Sequence, residues 1–224
     1  MSERPLIIFD CDGVLVDSEP ISLAVLREAL SAEGISICDR DAERLFLGRS
    51  LATMLSVVKD DYGATLGDGF LERLRRKLYT RFRAELQPTT GIADTWEALE
   101  REGFAFCVAS SSQPERIRLS LEITGLVPRF HPPIFSATMV ANGKPAPDLF
   151  LHAASRMEHQ PEDCLVIEDS PAGIAAAKAA GMKVFAYVGA THARSEAYRA
   201  QIASLEPDLM FDAMDNLVQR ARTV

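Results

Sequence analysis

Two aspartates separated by one residue, Asp10-Cys11-Asp12, directly follow the apolar run Leu6-Ile7-Ile8-Phe9 and precede Gly13. Such a run reads as a strand buried on both faces. Its ending puts two negative groups at the carboxyl edge of that strand, where open α/β sheets bind their ligands. Carboxylates this close repel each other, so a cation belongs with them, and a divalent metal is the obvious candidate. Asp-x-Asp-Gly is also ordinary turn chemistry. A calcium loop is excluded, because the fifth, seventh and twelfth places counted from Asp10 are Val14, Val16 and Ile21, none of which offers a side-chain oxygen.

Three later stretches bear on the choice. Val108-Ala109 runs out into Ser110-Ser111-Ser112, where a hydroxyl and the N–H groups of the following turn could hold a phosphate oxygen. Ser112 reads equally well as the cap of a helix starting near Pro114. In Gly143-Lys144-Pro145-Ala146-Pro147-Asp148 the prolines remove backbone freedom around one lysine. A held cation suits a polyanionic ligand or crowded carboxylates. Leu165-Val166-Ile167-Glu168-Asp169-Ser170-Pro171 is another apolar strand ending in two acids, with Asp169 or Ser170 able to cap the helix that begins at once. In a parallel sheet Asp10, Asp12, Glu168 and Asp169 share one edge. Oxygen donors without His or Cys select Mg²⁺ over zinc or copper.

The elements that must position these residues alternate. Strands are expected at Leu6–Phe9, Phe104–Ala109, Ile134–Ser136, Leu165–Ile167 and Val184–Val188, with helices at Asp94–Arg101, Pro114–Thr124, Pro147–Met157 and Pro171–Ala180. This order predicts an α/β fold with a doubly wound, mostly parallel sheet. The segment from about Val16 to Pro88 breaks the rhythm. Ile21, Val25 and Ala29, and then Leu71, Leu74, Leu78 and Phe82, recur at helical spacing without a buried strand between them. The expected organisation is a core domain of residues 1–15 and 89–224 and an inserted helical domain of residues 16–88. Springing from the edge of the first strand, the insertion would lie over Asp10 and Asp12 as a lid that excludes water and chooses substrate.

Bulk properties narrow the class. The 224 residues are 47% hydrophobic and carry a formal net charge of −8, which suits one large domain, or a domain with an insertion, that partners neither nucleic acid nor anionic membrane. No apolar stretch reaches the roughly 20 residues of a membrane span, and Met1–Pro5 leads into too short an apolar run for a signal peptide. Four scattered cysteines without a CxxC pair read as bystander thiols in a reducing, cytoplasmic compartment. Strand alternation would turn Cys11 away from both flanking carboxylates. No coiled coil or spare apolar stripe stands out, so a monomer or weak homo-oligomer is expected.

Taken in order, FDCDGVLVDSE, the strand ending at Ser110, GKPAPD and IEDSPAGIAAAKAAGM resemble the four successive motifs of the haloacid-dehalogenase-like (HAD) superfamily of phosphotransferases. The insertion is similar to that superfamily's helical cap, and the branch it most resembles is that of β-phosphoglucomutases and sugar phosphatases. The resemblance implies a Rossmann-like core and a role for each matching residue. Asp10 would be the nucleophile that forms an aspartyl-phosphate, and Asp12 the acid that protonates the leaving oxygen and then activates water. Asp10, the backbone carbonyl of Asp12, Asp169 and Glu168, the last direct or through water, would hold Mg²⁺. Ser110 and Lys144 would bind the transferring phosphoryl oxygens, beside Ser111, with Gly13 letting backbone approach the phosphate.

Departures within the branch bear on the reaction. The superfamily's dehalogenases lack an acid at the place of Asp12, so haloacid chemistry is disfavoured. β-Phosphoglucomutases carry a histidine in the first cap helix where this chain has Ser22, and a basic residue where it has Leu47, beside Gly48. Arg49, Ser50 and Lys77 are the candidate cap contacts to substrate, each with the plainer alternative of a solvated surface residue. Thr191 and His192 follow the last clear strand and could approach the site, with a neutral loop as the plainer alternative. The expectation is a Mg²⁺-dependent phosphatase acting on a small phosphorylated metabolite, a sugar or sugar-acid phosphate. A phosphosugar mutase is the alternative, and a catalytically silent binding protein the third reading.

Overall fold

The structure, a computed structural model, describes residues 4–46 and 51–224. Strand β1 (Leu6–Phe9) is followed by helices α1 (Glu19–Ala32), α2 (Asp39–Phe46), α3 (Leu51–Tyr62), α4 (Phe70–Glu85) and α5 (Ile92–Arg101). Then come β2 (Phe106–Ser110), α6 (Pro114–Ile123), α7 (Leu126–Phe130), β3 (Ile134–Ser136), α8 (Asp148–Arg156), β4 (Cys164–Glu168) and α9 (Pro171–Ala179). The chain closes with β5 (Lys183–Tyr187), α10 (Glu196–Ala203), β6 (Leu209–Phe211) and α11 (Leu217–Ala221). It divides into two units, one of Met1–Asp17 with Gln87–Val224, the other of Ser18–Leu86.

In the first unit all six strands run parallel, in the order β3-β2-β1-β4-β5-β6. β1 lies inside the sheet, with Phe9 beside Val108 of β2 and Ile167 of β4. Successive strands go one way from β1 through β2 to β3, and the other way through β4 to β6. This reversal opens a crevice beyond the carboxyl end of β1, where such sheets bind ligands.

Burial on both faces explains why these strands read as continuous apolar runs. Leu6, Ile8, Cys107, Ala109, Val166 and Val184 pack with Phe150, Ala153, Ile174 and Ala177 of α8 and α9. On α5, Trp96 is wholly buried and meets the rings of Phe9 and Phe106 at centroid distances of 5.8 and 4.9 Å. Burying such large rings dominates core energetics.

Some element ends differ from the pattern-based expectation. The second strand was expected from Phe104 but begins at Phe106. Gly103, at φ +75°, turns the chain out of α5, and the Phe104 N–H donates to the Leu99 carbonyl at 2.9 Å. Phe104 thus finishes the helix rather than starting the strand. β6 was not anticipated, because it is only three residues long, two of them partly buried, and carries no clear period.

Among the described residues, helices are the only regular elements of the second unit. Leu26, Leu30, Ile35, Ile37, Leu45, Phe46, Met54, Val58 and Phe70 form its core. Of the residues at helical spacing, Ile21, Val25, Leu78 and Phe82 are buried and Ala29, Leu71 and Leu74 half-buried. Among the described residues no helix is long and apolar enough to cross a membrane.

Candidate active site

β1 ends by handing its ladder to Asp10, whose N–H donates to the Ile167 carbonyl of β4 at 2.9 Å. The chain then turns tightly, with the Leu15 N–H donating to the Cys11 carbonyl at 2.9 Å and the Gly13 N–H to that of Val16 at 2.8 Å. Gly13 stands at φ +88°, and a Cβ there would lie 2.1 Å from Asp169 Oδ2. Only glycine lets the β1 turn approach the β4 end this closely. Glu168 and Asp169 arrive from β4. Glu168 Oε2 accepts from the N–H groups of Asp169 (2.8 Å) and Ser170 (2.7 Å) and from the Ser170 hydroxyl (3.0 Å). The orphan N–H groups at the start of α9 thereby fix this carboxylate. Ser170 is the N-cap of α9, its hydroxyl accepting from the Gly173 N–H at 3.1 Å. Gly173 is required too, since a Cβ there would stand 1.8 Å from Glu168 Oε1.

Lys144 bridges the two strand ends. Its Nζ donates to Asp10 Oδ1 and Glu168 Oε1, each at 2.6 Å, and to the Ala109 carbonyl at 3.1 Å. It also lies 4.7 Å from the centre of the Phe150 ring. Its side chain is 2% exposed, so this ion pair is one whose partners cannot be removed singly without large cost. Burial pulls the Lys144 ammonium down, but the Asp10 and Glu168 carboxylates outweigh it and hold the group above its ordinary range. Burial pushes the Asp10 carboxyl well above its usual value; Lys144 opposes this, and Glu168 and Asp169 add to it. Asp169 is raised by burial against the pull of His192.

Asp12 is held differently. Its Oδ2 accepts from the Ser112 hydroxyl at 2.6 Å, and its Oδ1 from Arg116 at 2.8 Å. Ser112 therefore does not cap α6, as one sequence reading had it; Gln113 occupies that position without a side-chain bond. Ser110, at the end of β2 and 1% exposed, accepts the Ser112 N–H at 3.1 Å, while Ser111 beside it is exposed.

The model of the haloacid dehalogenase-like hydrolases matches residues 7–187. The chain belongs to that family. It is an enzyme, a HAD-like hydrolase. The 6-phosphogluconate phosphatase of Escherichia coli (strain K12) is 30% identical over 193 residues, 86% of each chain. The β-phosphoglucomutase of Bacillus subtilis (strain 168) is 32% identical over 188 residues, 79% of this chain and 80% of the relative. Among solved structures, a haloacid dehalogenase-like protein from Agrobacterium tumefaciens is 32% identical, with a TM-score of 0.82 over 98% of both chains.

Within this HAD-like fold, Asp10, Glu168 and Asp169 each offer a carboxylate oxygen within 4.8 Å of the others. Three crowded, buried carboxylates face one ammonium, and the donors are all hard oxygens. That set fits a divalent cation of the Mg²⁺ class. The Asp12 carboxylate is not in this cluster, which leaves only its backbone carbonyl for the metal role. Lys77 is 46% exposed and pairs with Glu28 at 2.6 Å within the helical unit, and Leu47, Gly48, Arg49 and Ser50 lie outside the described residues. Cys11 is buried, and burial with Asp12 and Asp10 beside it raises its thiol well above the ordinary value, which makes it a bystander.

One participant, Arg116, was not singled out from sequence, and a second, His192, was read only as a loop residue able to approach the site. Arg116 is a half-buried residue in the first turn of α6, where a lone arginine carries no signal. His192 lies 2.8 Å from Asp169 Oδ2 through Nε2. Its position just after β5, on the same sheet edge as Asp10, Ser110 and Glu168, was the available clue.

Proposed function

We propose that this hydrolase is a Mg²⁺-dependent phosphatase of a small phosphorylated metabolite, a sugar or sugar-acid phosphate, working through an aspartyl-phosphate in the cytoplasm. The observation that carries this reading is the meeting of Asp10, Glu168 and Asp169 around Lys144 at the strand reversal. Asp10 attacks phosphorus, taking the phosphoryl group onto its carboxylate as the P–O bond to the leaving alcohol breaks. Asp12, oriented by Ser112 and Arg116, gives its proton to the departing oxygen. It then takes one from the water that opens the acyl phosphate, releasing inorganic phosphate and restoring Asp10. Lys144 and Ser110 bind the phosphoryl oxygens, and the ammonium offsets charge as the group transfers. Held by Asp10, Glu168, Asp169 and the Asp12 carbonyl, a divalent cation would supply further positive charge for that transfer. The helical unit Ser18–Leu86 serves as the cap that chooses substrate, with Arg49, Ser50 and Lys77 as its candidate contacts and Gly13 and Ser111 on the core side.

The E. coli relative's name favours a sugar-acid phosphate; the B. subtilis relative's name keeps the mutase in view. Ser22 and Leu47, where mutases of that branch carry histidine and a basic residue, favour hydrolysis. The deciding experiment incubates the enzyme with phosphorylated sugars, sugar acids and nucleotides, with Mg²⁺ or with EDTA. Stoichiometric phosphate release that stops in EDTA and returns with Mg²⁺ supports the reading. Isomerised product through a bisphosphate, without net phosphate release, would establish the mutase instead.

A further inference from the structure

We propose that His192 is a positioning residue that, with Tyr198, orients Asp169 for metal binding; this rests on the metal site proposed above.

Two contacts hold Asp169, and a third joins the residues that make them. His192 Nε2 lies 2.8 Å from its Oδ2, with both side chains almost fully buried, at 3% and 5% exposed. The Tyr198 hydroxyl donates to the Asp169 backbone carbonyl at 3.2 Å. The two aromatic rings meet edge to face, at 82° and a centroid distance of 5.4 Å. Side chain and backbone of Asp169 are thus held from the same side by two residues that also brace each other. A Cβ at Gly13 would come 2.9 Å from the His192 ring as well as 2.1 Å from Asp169 Oδ2. The β1 turn, the metal-ligand candidate and the imidazole are therefore packed as one piece.

The loop bearing His192 is itself tethered. The Thr191 hydroxyl donates to Asp17 Oδ2. Arg199 of α10 donates to the Val188 carbonyl at 2.9 Å and the Ala193 carbonyl at 3.2 Å, spanning the turn on both sides of the histidine. Ala193 is completely buried. A side chain fixed this thoroughly has few rotamers left, so it limits those of its carboxylate partner.

A small, strongly hydrated cation demands near-octahedral geometry and takes few carboxylate oxygens. With Oδ2 against His192, the other oxygen of Asp169 would be the one left for a cation, which would favour one-oxygen ligation. Partners standing behind metal ligands in this way typically account for 10–100-fold in metal affinity.

The plain alternative is that His192 only fills space. H192F keeps a ring of similar size without nitrogen, whereas H192Q puts an amide donor within reach of Oδ2. Binding of Mg²⁺ alone is measured by calorimetry on the whole enzyme and its two variants, with the metal-free unfolding temperature as the control for folding. The expected result is a Mg²⁺ dissociation constant about tenfold or more higher in H192F, recovered in large part in H192Q. The same loss should be relieved in turnover by raising Mg²⁺. Equal Mg²⁺ affinity in wild type and H192F would overturn the role of His192 while leaving the metal site standing. Equal weakening in H192F and H192Q would overturn it too, as would wild type that binds no Mg²⁺, the last outcome removing the metal site itself. Should H192F fail to fold, H192Q against wild type decides, since binding at least tenfold weaker in H192Q overturns the role and near-wild-type binding supports it.

Discussion

Asp10 and Asp12 are the same residue two places apart in one turn, yet their surroundings divide them. Asp10 is at the strand end, its carboxyl raised by burial and shared with Lys144 among two further acids. Asp12 lies outside the cluster of three carboxylates found among the described residues; the Ser112 hydroxyl of the β2–α6 turn and the Arg116 guanidinium of α6 hold it. Environment, rather than residue type, separates a group suited to attack phosphorus from one suited to carry protons. The lesson is that a short motif can deliver two functions only because different, distant elements reach each of its members.

The strongest way to break that division is Asp10→Asn, which removes the proposed nucleophile and keeps the shape. Turnover should fall by roughly 10⁴-fold or more, with circular dichroism and unfolding temperature close to wild type. Wild-type rates in that variant would sink the assignment. Asp12→Asn should cost less, about 10²–10⁴-fold in kcat, and rapid-quench measurements should find both formation and breakdown of the phosphoenzyme slowed. Lys144→Met tests the Asp10 side through stability. Leaving Asp10 and Glu168 without their shared ammonium should destabilise the metal-free protein by about 3 kcal/mol, read by urea titration, with Mg²⁺ recovering part of the loss. An unchanged urea midpoint would count against the bridge. Arg116→Gln should be the mildest, lowering kcat about tenfold. It should have no further effect in the Asp12→Asn background, because the two act through one carboxylate; additive losses would separate Arg116 from Asp12.

The apolar runs that became β1, β3 and β4 were legible because burial on both faces leaves nothing polar to blur them. The acids at their ends were legible because carboxylates at a buried strand's edge need a reason. The partners were not. Ser112 looked like a helix cap, since a serine just before a proline-led helix normally is one, and nothing local says that its hydroxyl turns to a residue one hundred positions earlier. Arg116 and His192 are ordinary within their own segments. Their meaning comes from the parallel stacking of strands, which sets separate loops side by side at one edge. The strand-end rule applied to the last clear strand did raise Thr191 and His192, but gave neither a partner. No comparable rule reaches Arg116, in the first turn of a helix. Phe104 was misassigned because an apolar residue closing a helix through its N–H looks identical to one opening a strand.

The place of β1 in the sheet also has a bearing on how the protein is made. Leu6 stands against Cys164, so one side of the first strand synthesised stays unpaired until about three-quarters of the chain has left the ribosome. A nascent chain carries a bare, apolar template strand for most of its synthesis, the kind of surface that recruits chaperones or other chains. The same delay keeps an incomplete chain inert, because Asp10 meets Glu168 and Asp169 only when β4 slots in beside it. Phosphate release by this enzyme would then report that the last central strand is home, a folding assay that needs no spectroscopic probe.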